Sequence, residues 1–245
     1  MIQGPLKLHT QFQQILQNYR VSASAEALLK EIKLVLLLAP SSTGRNTIIR
    51  QLVDTEHYHY IISDTTRQPR VNDGVQEQNG KEYWFKSEEE VLAGLQAGEY
   101  LEAEVLHNQQ VSGISMRELE LAKNEQKVAI TDVDIQGVHN ILRAKPDTVV
   151  VLLLPPSFDE LLRRMSQRGV MRGGEERRRL ETAAKIFEDG VNQHYYRYVI
   201  AEDIKQSAGI IDSIASGGHN PYQDRGPELI RQLQEQLREK LASSF

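Results

Sequence analysis

Leu34-Val35-Leu36-Leu37-Leu38-Ala39-Pro40-Ser41-Ser42-Thr43-Gly44-Arg45-Asn46-Thr47-Ile48-Ile49-Arg50-Gln51-Leu52 is the part of the chain from which the rest can be read. The run Leu34 to Leu38 is continuously apolar and stopped by Pro40 and small polar residues, which suits a strand buried on both faces. The residues from Ile48 onward read as a helix. A strand, a tight turn and a helix N-terminus together aim backbone N–H groups and a positive dipole end at an anion. Against the phosphate-loop pattern G-x-x-x-x-G-K-[ST], only Gly44 matches; Ala39, Arg45 and Asn46 stand at the other fixed positions. Turns of this kind rich in Ser and Thr are commonplace, so a phosphate reading needs support from elsewhere.

Similar runs recur at Tyr60-Ile61-Ile62, Val128-Ala129-Ile130, Val149 to Leu154 and Tyr198-Val199-Ile200, predicting further buried strands. Helical patterns lie between them. Ser87 with Glu90 and Ser157 with Glu160 are candidate capping boxes, and Gly169 and Gly190 are candidate C-terminal closures. Strands alternating with helices predict an α/β chain with a mostly parallel sheet covered on both faces. Upstream, Phe12, Ile15, Leu16 and Tyr19, then Ala27 and Leu28, predict two short helices interrupted at Ser22 and Ser24. Downstream, Ser213 to Gly226 reads as a linker. It leads to a helix with Pro227 in its first turn and one apolar stripe of Leu229, Ile230, Leu233, Leu237 and Leu241. The plainer reading of that helix docks it on its own domain; the other makes it a contact for a partner or a second copy.

At roughly 150 residues per domain, 245 residues allow one large domain or somewhat more. With 40% hydrophobic and 26% charged residues the composition is that of a globular protein, and no apolar run approaches the ~20 residues a bilayer needs. The absence of cysteine excludes disulfides and thiolate metal sites, and the start lacks a continuous apolar stretch, so a cytoplasmic location is expected. Acidic residues outnumber basic ones 34 to 29, which opposes broad nucleic-acid binding.

Ser63-Asp64-Thr65-Thr66-Arg67-Gln68-Pro69-Arg70 places two arginines around a stiffening proline, and guanidinium forks suit phosphate oxygens; a plain solvated turn would carry the same residues. Asp132 and Asp134 follow a buried strand, where alternation puts both carboxylates on one face at the strand's carboxyl end, the place ligands take in open α/β sheets. They would serve a Mg²⁺ shell and a substrate N–H, or cap the next helix. His57 and His59 read as a half-exposed strand rather than a metal site, and Tyr195, Tyr196 and Tyr198 as packing.

The Ser63 to Arg70 segment, Gly80-Lys81-Glu82-Tyr83-Trp84-Phe85, Gly98-Glu99-Tyr100-Leu101-Glu102 and Asp132-Val133-Asp134-Ile135-Gln136-Gly137-Val138 resemble guanylate kinases in order and spacing. So do Leu154-Pro155-Pro156-Ser157 and Arg163 to Gly169. The resemblance covers about residues 32–214. It implies a P-loop NTPase three-layer α/β fold, with an inserted monophosphate-binding subdomain around 64–126 and a helical lid around 163–182. Residues 1–31 are then an N-terminal helical extension, and 215–245 a linker and C-terminal amphipathic helix.

The resemblance also implies an activity: Mg²⁺-dependent transfer of the ATP γ-phosphoryl group to GMP. Ser41, Ser42, Thr43, Gly44, Arg45, Asn46 and Thr47 would bind ATP, with Asn46 and Asp132 at the Mg²⁺ shell. Ser63, Arg67, Arg70 and Tyr83 would grip the monophosphate of GMP, while Glu102 and Asp134 accept hydrogen bonds from the guanine N1 hydrogen and N2 amine. Arg45, Arg164, Arg168 and Arg179 would neutralise charge on the transferring group. The partners are GMP and ATP, with no nucleic acid or membrane; the chain would be a monomer or a homodimer.

The family pattern has Gly, Gly, Lys and Ser where this chain has Ala39, Ser42, Arg45 and Asn46. Arg45 keeps the charge on a larger planar head, and Asn46 offers an amide oxygen in place of a hydroxyl. Gln110-Val111-Ser112-Gly113-Ile114 replaces a stretch with two tyrosines and a Gly followed by a hydroxyl, and Glu202 stands where an asparagine is usual. A second reading therefore stays open: a weak or inactive module that binds GMP or a phosphorylated peptide through Arg67, Arg70 and Tyr83. A third, a kinase for another nucleotide, rests on Ile114.

Overall fold

The computed structural model describes residues 4–72, 74–106, 108–167 and 174–243. In chain order they form α1 (His9–Gln17), α2 (Ala23–Glu31), β1 (Leu34–Leu38), α3 (Arg45–Val53) and β2 (Tyr58–Tyr60). Four short strands follow, β3 (Asp64–Thr65), β4 (Val71–Asn72), β5 (Val75–Gln76) and β6 (Trp84–Phe85). Next come α4 (Glu88–Gln96), β7 (Tyr100–Leu106), β8 (Gln110–Ser115), α5 (Met116–Asn124), β9 (Val128–Asp132) and α6 (Ile135–Ala144). The chain closes with β10 (Val149–Leu154), α7 (Phe158–Gln167), α8 (Glu175–Asn192), β11 (Tyr196–Ile200), α9 (Ile204–Ala215) and α10 (Gly226–Ser243). Contacts divide the chain into two units: residues 1–33, 59–129 and 140–146, and residues 34–58, 130–139 and 147–245.

The principal sheet has the order β11-β10-β1-β9-β2, and its β11–β10 and β10–β1 pairs are parallel. Every residue of β1, and every residue of β10 but Val149, is buried, as expected of strands covered on both faces. The fold is thus an α/β fold with a mostly parallel central sheet.

In the second unit α3 packs on α9, and α10 lies against α8 with Ile230, Leu233 and Leu237 buried. The C-terminal helix therefore docks on its own unit, and its stripe is spent there. Gly190 does not close a helix: α8 continues to Asn192, and Gly190 sits where a Cβ would collide with Ile230 and Leu152. Its smallness sets the approach of α10 to α8.

The first unit holds a sheet of order β6-β3-β8-β7 and the β4–β5 hairpin. Helix α4 opens with a complete capping box, Glu90 N–H to Ser87 Oγ at 3.1 Å and Ser87 N–H to Glu90 Oε2 at 2.7 Å. Both N-terminal helices belong to this unit. Phe12 of α1 is buried with Leu6, Val91, Leu95, Tyr100 and Val111, and Ser22, the N-cap of α2, donates to the Gly98 carbonyl at 2.9 Å. The predicted strand at Tyr60-Ile61-Ile62 lies earlier, at Tyr58–Tyr60. Ile62 N–H donates to the Glu118 carboxylate at 3.1 Å instead of to a neighbouring strand.

Candidate functional site

The turn after β1 is built as an anion cradle. Thr43 Oγ1 donates to the Pro40 carbonyl at 2.8 Å, and Thr47 and Ile48 N–H groups close the first turn of α3 onto the Gly44 carbonyl at 3.0 and 3.1 Å. Gly44, the N-cap, is left-handed at φ 98°, and Ser42 is left-handed at φ 70°. Only glycine takes that conformation without strain. Ser42 Oγ is also buried with no hydrogen-bond partner among the described residues. Ser41 is half-buried, and Asn46 and Thr47 are exposed on the first turn of α3.

Arg45, the first residue of α3, points its Nη2 at Asp132 Oδ2, 2.6 Å away, at the carboxyl end of β9. The two acids after that strand have separate tasks. Asp134 Oδ1 accepts from the Gly137 N–H at 2.7 Å and so caps α6, while Asp132 pairs with the arginine of the cradle.

Arg164 of α7 is engaged entirely by protein: Nε donates to Glu160 at 2.6 Å, Nη1 to the Thr43 carbonyl at 3.3 Å and Nη2 to the Ala201 carbonyl at 3.0 Å. It ties the cradle to the turn after β11. Arg179 pairs through Nη2 with Glu175, and its Nη1 is buried with no hydrogen-bond partner among the described residues. Arg163 forks onto Glu160, which falls to about 2 because both arginines hydrogen-bond its charged form. Arg168 lies outside the described residues, as does Gly169.

In the first unit, Arg67 is buried, at 5% exposure, and forks onto Glu77: Nη1 to Oε2 at 2.5 Å and Nη2 to Oε1 at 2.9 Å. Its Nη1 also donates to the Gln68 carbonyl at 3.0 Å, and the guanidinium lies 4.6 Å from the Tyr83 ring centroid and 5.5 Å from that of Phe85. Arg67 holds the Glu77 carboxyl below its ordinary range. Arg70 is exposed; its backbone N–H donates to Glu77 Oε2 at 2.8 Å. Ser63 and Tyr83 are half-buried. Glu102, half-buried on β7, faces Ile114 of β8 across the hairpin, so an apolar buried side chain stands beside the carboxylate.

Behind β3 and β6 lies a network the sequence reading missed. Asp64 accepts from Tyr100 Oη at 2.7 Å and Arg117 Nη2 at 2.8 Å, and Lys86 Nζ is 3.2 Å away. Glu118 accepts from Trp84 Nε1 at 3.0 Å and the Ile62 N–H, and His59 bridges Glu118 and Glu125 at 3.2 Å each. Glu118 first of all, then Glu125, raises the His59 pKa against the effect of burial. Glu77 too was missed, because no local spacing marks a carboxylate ten residues from the arginine it holds.

The guanylate kinase family model matches residues 31–212. The chain is 39% identical over 140 residues to a guanylate kinase of Porphyromonas gingivalis, covering 56% of this chain and 72% of that protein. It is 33% identical over 188 residues to one of Corynebacterium diphtheriae, covering 76% and 95%. The crystal structure of guanylate kinase from Anaplasma phagocytophilum superposes with a TM-score of 0.56 at 26% identity, over 87% of this chain and 95% of that one.

Proposed function

The chain belongs to the guanylate kinase family, and on that premise we propose that it transfers the γ-phosphoryl group of ATP to GMP by direct in-line attack, releasing ADP and GDP. The observation that carries this reading is the donor loop: a buried strand, a turn through left-handed Ser42 and Gly44, and a helix that begins on a cation, Arg45. Arg45 leaves Asp132 for the phosphates of the donor. Arg164 positions the loop through the Thr43 carbonyl, and Nη1 of Arg179, without a partner among the described residues, supplies a donor for charge that develops during transfer. Ser63, Arg67, Arg70 and Tyr83 build the phosphate end of the acceptor site. Glu102 and Asp134 take the N1 and N2 hydrogens of guanine; adenine has no N1 donor and would leave a carboxylate unpaired.

Asp132 and Asn46 are oxygen donors of the kind Mg²⁺ takes, and among the described residues no cluster of three or more His, Cys, Asp or Glu forms a protein-only cage. That fits an ion held by one carboxylate, waters and substrate phosphates, provided Arg45 has moved off Asp132. When bound, Mg²⁺ would spread the charge of the phosphoryl group as it is transferred.

A coupled assay of ADP release with GMP, AMP, CMP and UMP tests the reading; release dependent on GMP is the expected result. GMP is also expected to raise the melting temperature more than AMP, by the equivalent of about 2.7 kcal/mol at 100 Kd. Equal shifts with the two nucleotides would sink the guanine assignment. The strained Ser42 and the exposed Asn46 favour a second reading, a weak or inactive module, for which GMP would bind without ADP release above background.

A further inference from the structure

The first unit includes a stretch of chain that lies ahead of the family match, which starts at residue 31. That stretch is tied to both ends of β7, the edge strand that carries Glu102. At the far end the Leu6 N–H donates to the Asn108 carbonyl at 3.1 Å. At the near end Ser22 Oγ donates to the Gly98 carbonyl at 2.9 Å, and Tyr19 Oη donates to the Tyr100 carbonyl at 2.7 Å. Between these ties Phe12 is buried against the same core as Tyr100 and Val111, and Tyr19, Ala103 and Val105 pack on it. The Glu88 carboxylate of α4 fixes the approach to α1, accepting the N–H groups of Lys7 and Leu8 at 3.2 and 2.8 Å.

Tyr19 does more than pack. Its hydroxyl oxygen also accepts the Tyr100 N–H, at 3.2 Å, so one side chain closes both backbone groups of the first residue of β7, as a neighbouring strand would. The position matters because the pairing of β7 with β8 slips just beyond it: Tyr100 faces Ser115, whereas Glu102 faces Ile114. Leu101 is the extra residue of that bulge. A bulge bends its strand and redirects the side chain that follows, so the aim of Glu102 depends on what holds the residue before it. Tyr100 is held at its backbone by Tyr19, at its ring by the core around Phe12, and at its hydroxyl by Asp64, 2.7 Å away.

We propose that Tyr19 is a positioning residue that sets base specificity in the acceptor site: its hydroxyl pins the start of β7 ahead of the bulge and thereby aims the Glu102 carboxylate at the base. This deepens the reading above and rests on it for the meeting of Glu102 with guanine. The N-terminal helices are then a brace for that carboxylate, and Tyr19 acts through Glu102 without touching the nucleotide.

The test is calorimetric titration of GMP and AMP into wild type, Tyr19→Phe, Glu102→Gln and the double variant. Phenylalanine keeps the ring in the core and removes only the hydroxyl. The expected result is about tenfold weaker GMP binding by Tyr19→Phe with AMP binding unchanged, and no further loss when Tyr19→Phe is added to Glu102→Gln. Equal losses for GMP and AMP would overturn the proposal, since a unit that is merely loosened weakens both nucleotides alike. Unchanged binding of both would overturn it too, as would a further tenfold loss in the double variant, because Tyr19 would then act by another route. Wild type that binds GMP no better than AMP would overturn the guanine reading and this proposal with it, whereas a wild-type preference for GMP that Tyr19→Phe leaves intact would overturn this proposal alone. Where Tyr19→Phe fails to fold, amide hydrogen exchange in wild type decides: GMP should slow exchange of the Tyr100 N–H more than AMP does at equal saturation, and equal slowing would overturn the assignment.

Discussion

Two arginines expected to meet phosphates are each paired with a carboxylate of the protein, and the pairs differ in kind. Arg45 and Asp132 meet at 2.6 Å with 28% and 24% of their side chains exposed. Arg67 and Glu77 share a bidentate fork at 5% and 8% exposure, stacked on aromatic rings. A partly solvated pair has little net strength, so Arg45 can leave its carboxylate for a phosphate at small cost. A buried fork cannot be opened without stranding a charge. The same residue type is therefore loosely held in one unit and firmly held in the other.

The largest effect that would break this contrast is on stability. Arg67→Ala should destabilise by about 3–5 kcal/mol, as for a buried pair robbed of one partner, whereas Arg45→Ala should cost at most about 1 kcal/mol. Urea unfolding measures both; equal losses would mean that the two pairs are alike.

Next comes the donor loop. Arg45→Lys with Asn46→Ser should raise kcat at least ~10-fold, which requires only about 1.4 kcal/mol of transition-state stabilisation, with little change in GMP affinity. If wild type already turns over at an ordinary kinase rate and the double change slows it, Arg45 is a working substitute for lysine.

Smaller again, Ser42→Gly should stabilise by about 0.5–1 kcal/mol, the left-handed strain of serine less the extra chain entropy of glycine. A fall in melting temperature would show that the Ser42 side chain has a partner in solution that offsets the strain.

The smallest effect concerns the frame of the first unit. His59 is raised from 6.5, chiefly by its hydrogen bond to Glu118, so its contribution is complete below that value and is lost as pH rises through the raised pKa. Burial raises Glu118, but hydrogen bonds from His59, the Ile62 N–H and Trp84 outweigh it and leave the carboxyl below 4.5. That contribution is present above 4.5 and is lost as pH falls through the lowered pKa. His59→Asn should flatten the loss of stability as pH rises above 6.5, and urea midpoints at increasing pH check it; an unchanged slope would remove His59 as its source.

Periodic and continuous patterns were readable because they reflect which face each residue buries. The strand Leu34–Leu38, the capping box at Ser87 and the apolar stripe of α10 follow from local spacing alone, and the motif order was enough to suggest the family. What spacing could not give was the partner of a polar group. Asp134 suits a ligand or a cap by its spacing, and the structure adds that its Oδ1 caps α6. Gly190 looked like a helix end and is a packing notch.

By itself, then, the sequence determined the alternation of buried strands and helices and the positions of the cradle, because hydrophobic burial and turn geometry act over neighbouring residues. Only the tertiary structure decided that Arg67 pairs with Glu77, that Arg45 rests on Asp132 and that the N-terminal helices fold with the first unit. Those outcomes depend on which charges and apolar faces meet across long stretches of chain, and how deeply, where solvent no longer screens them.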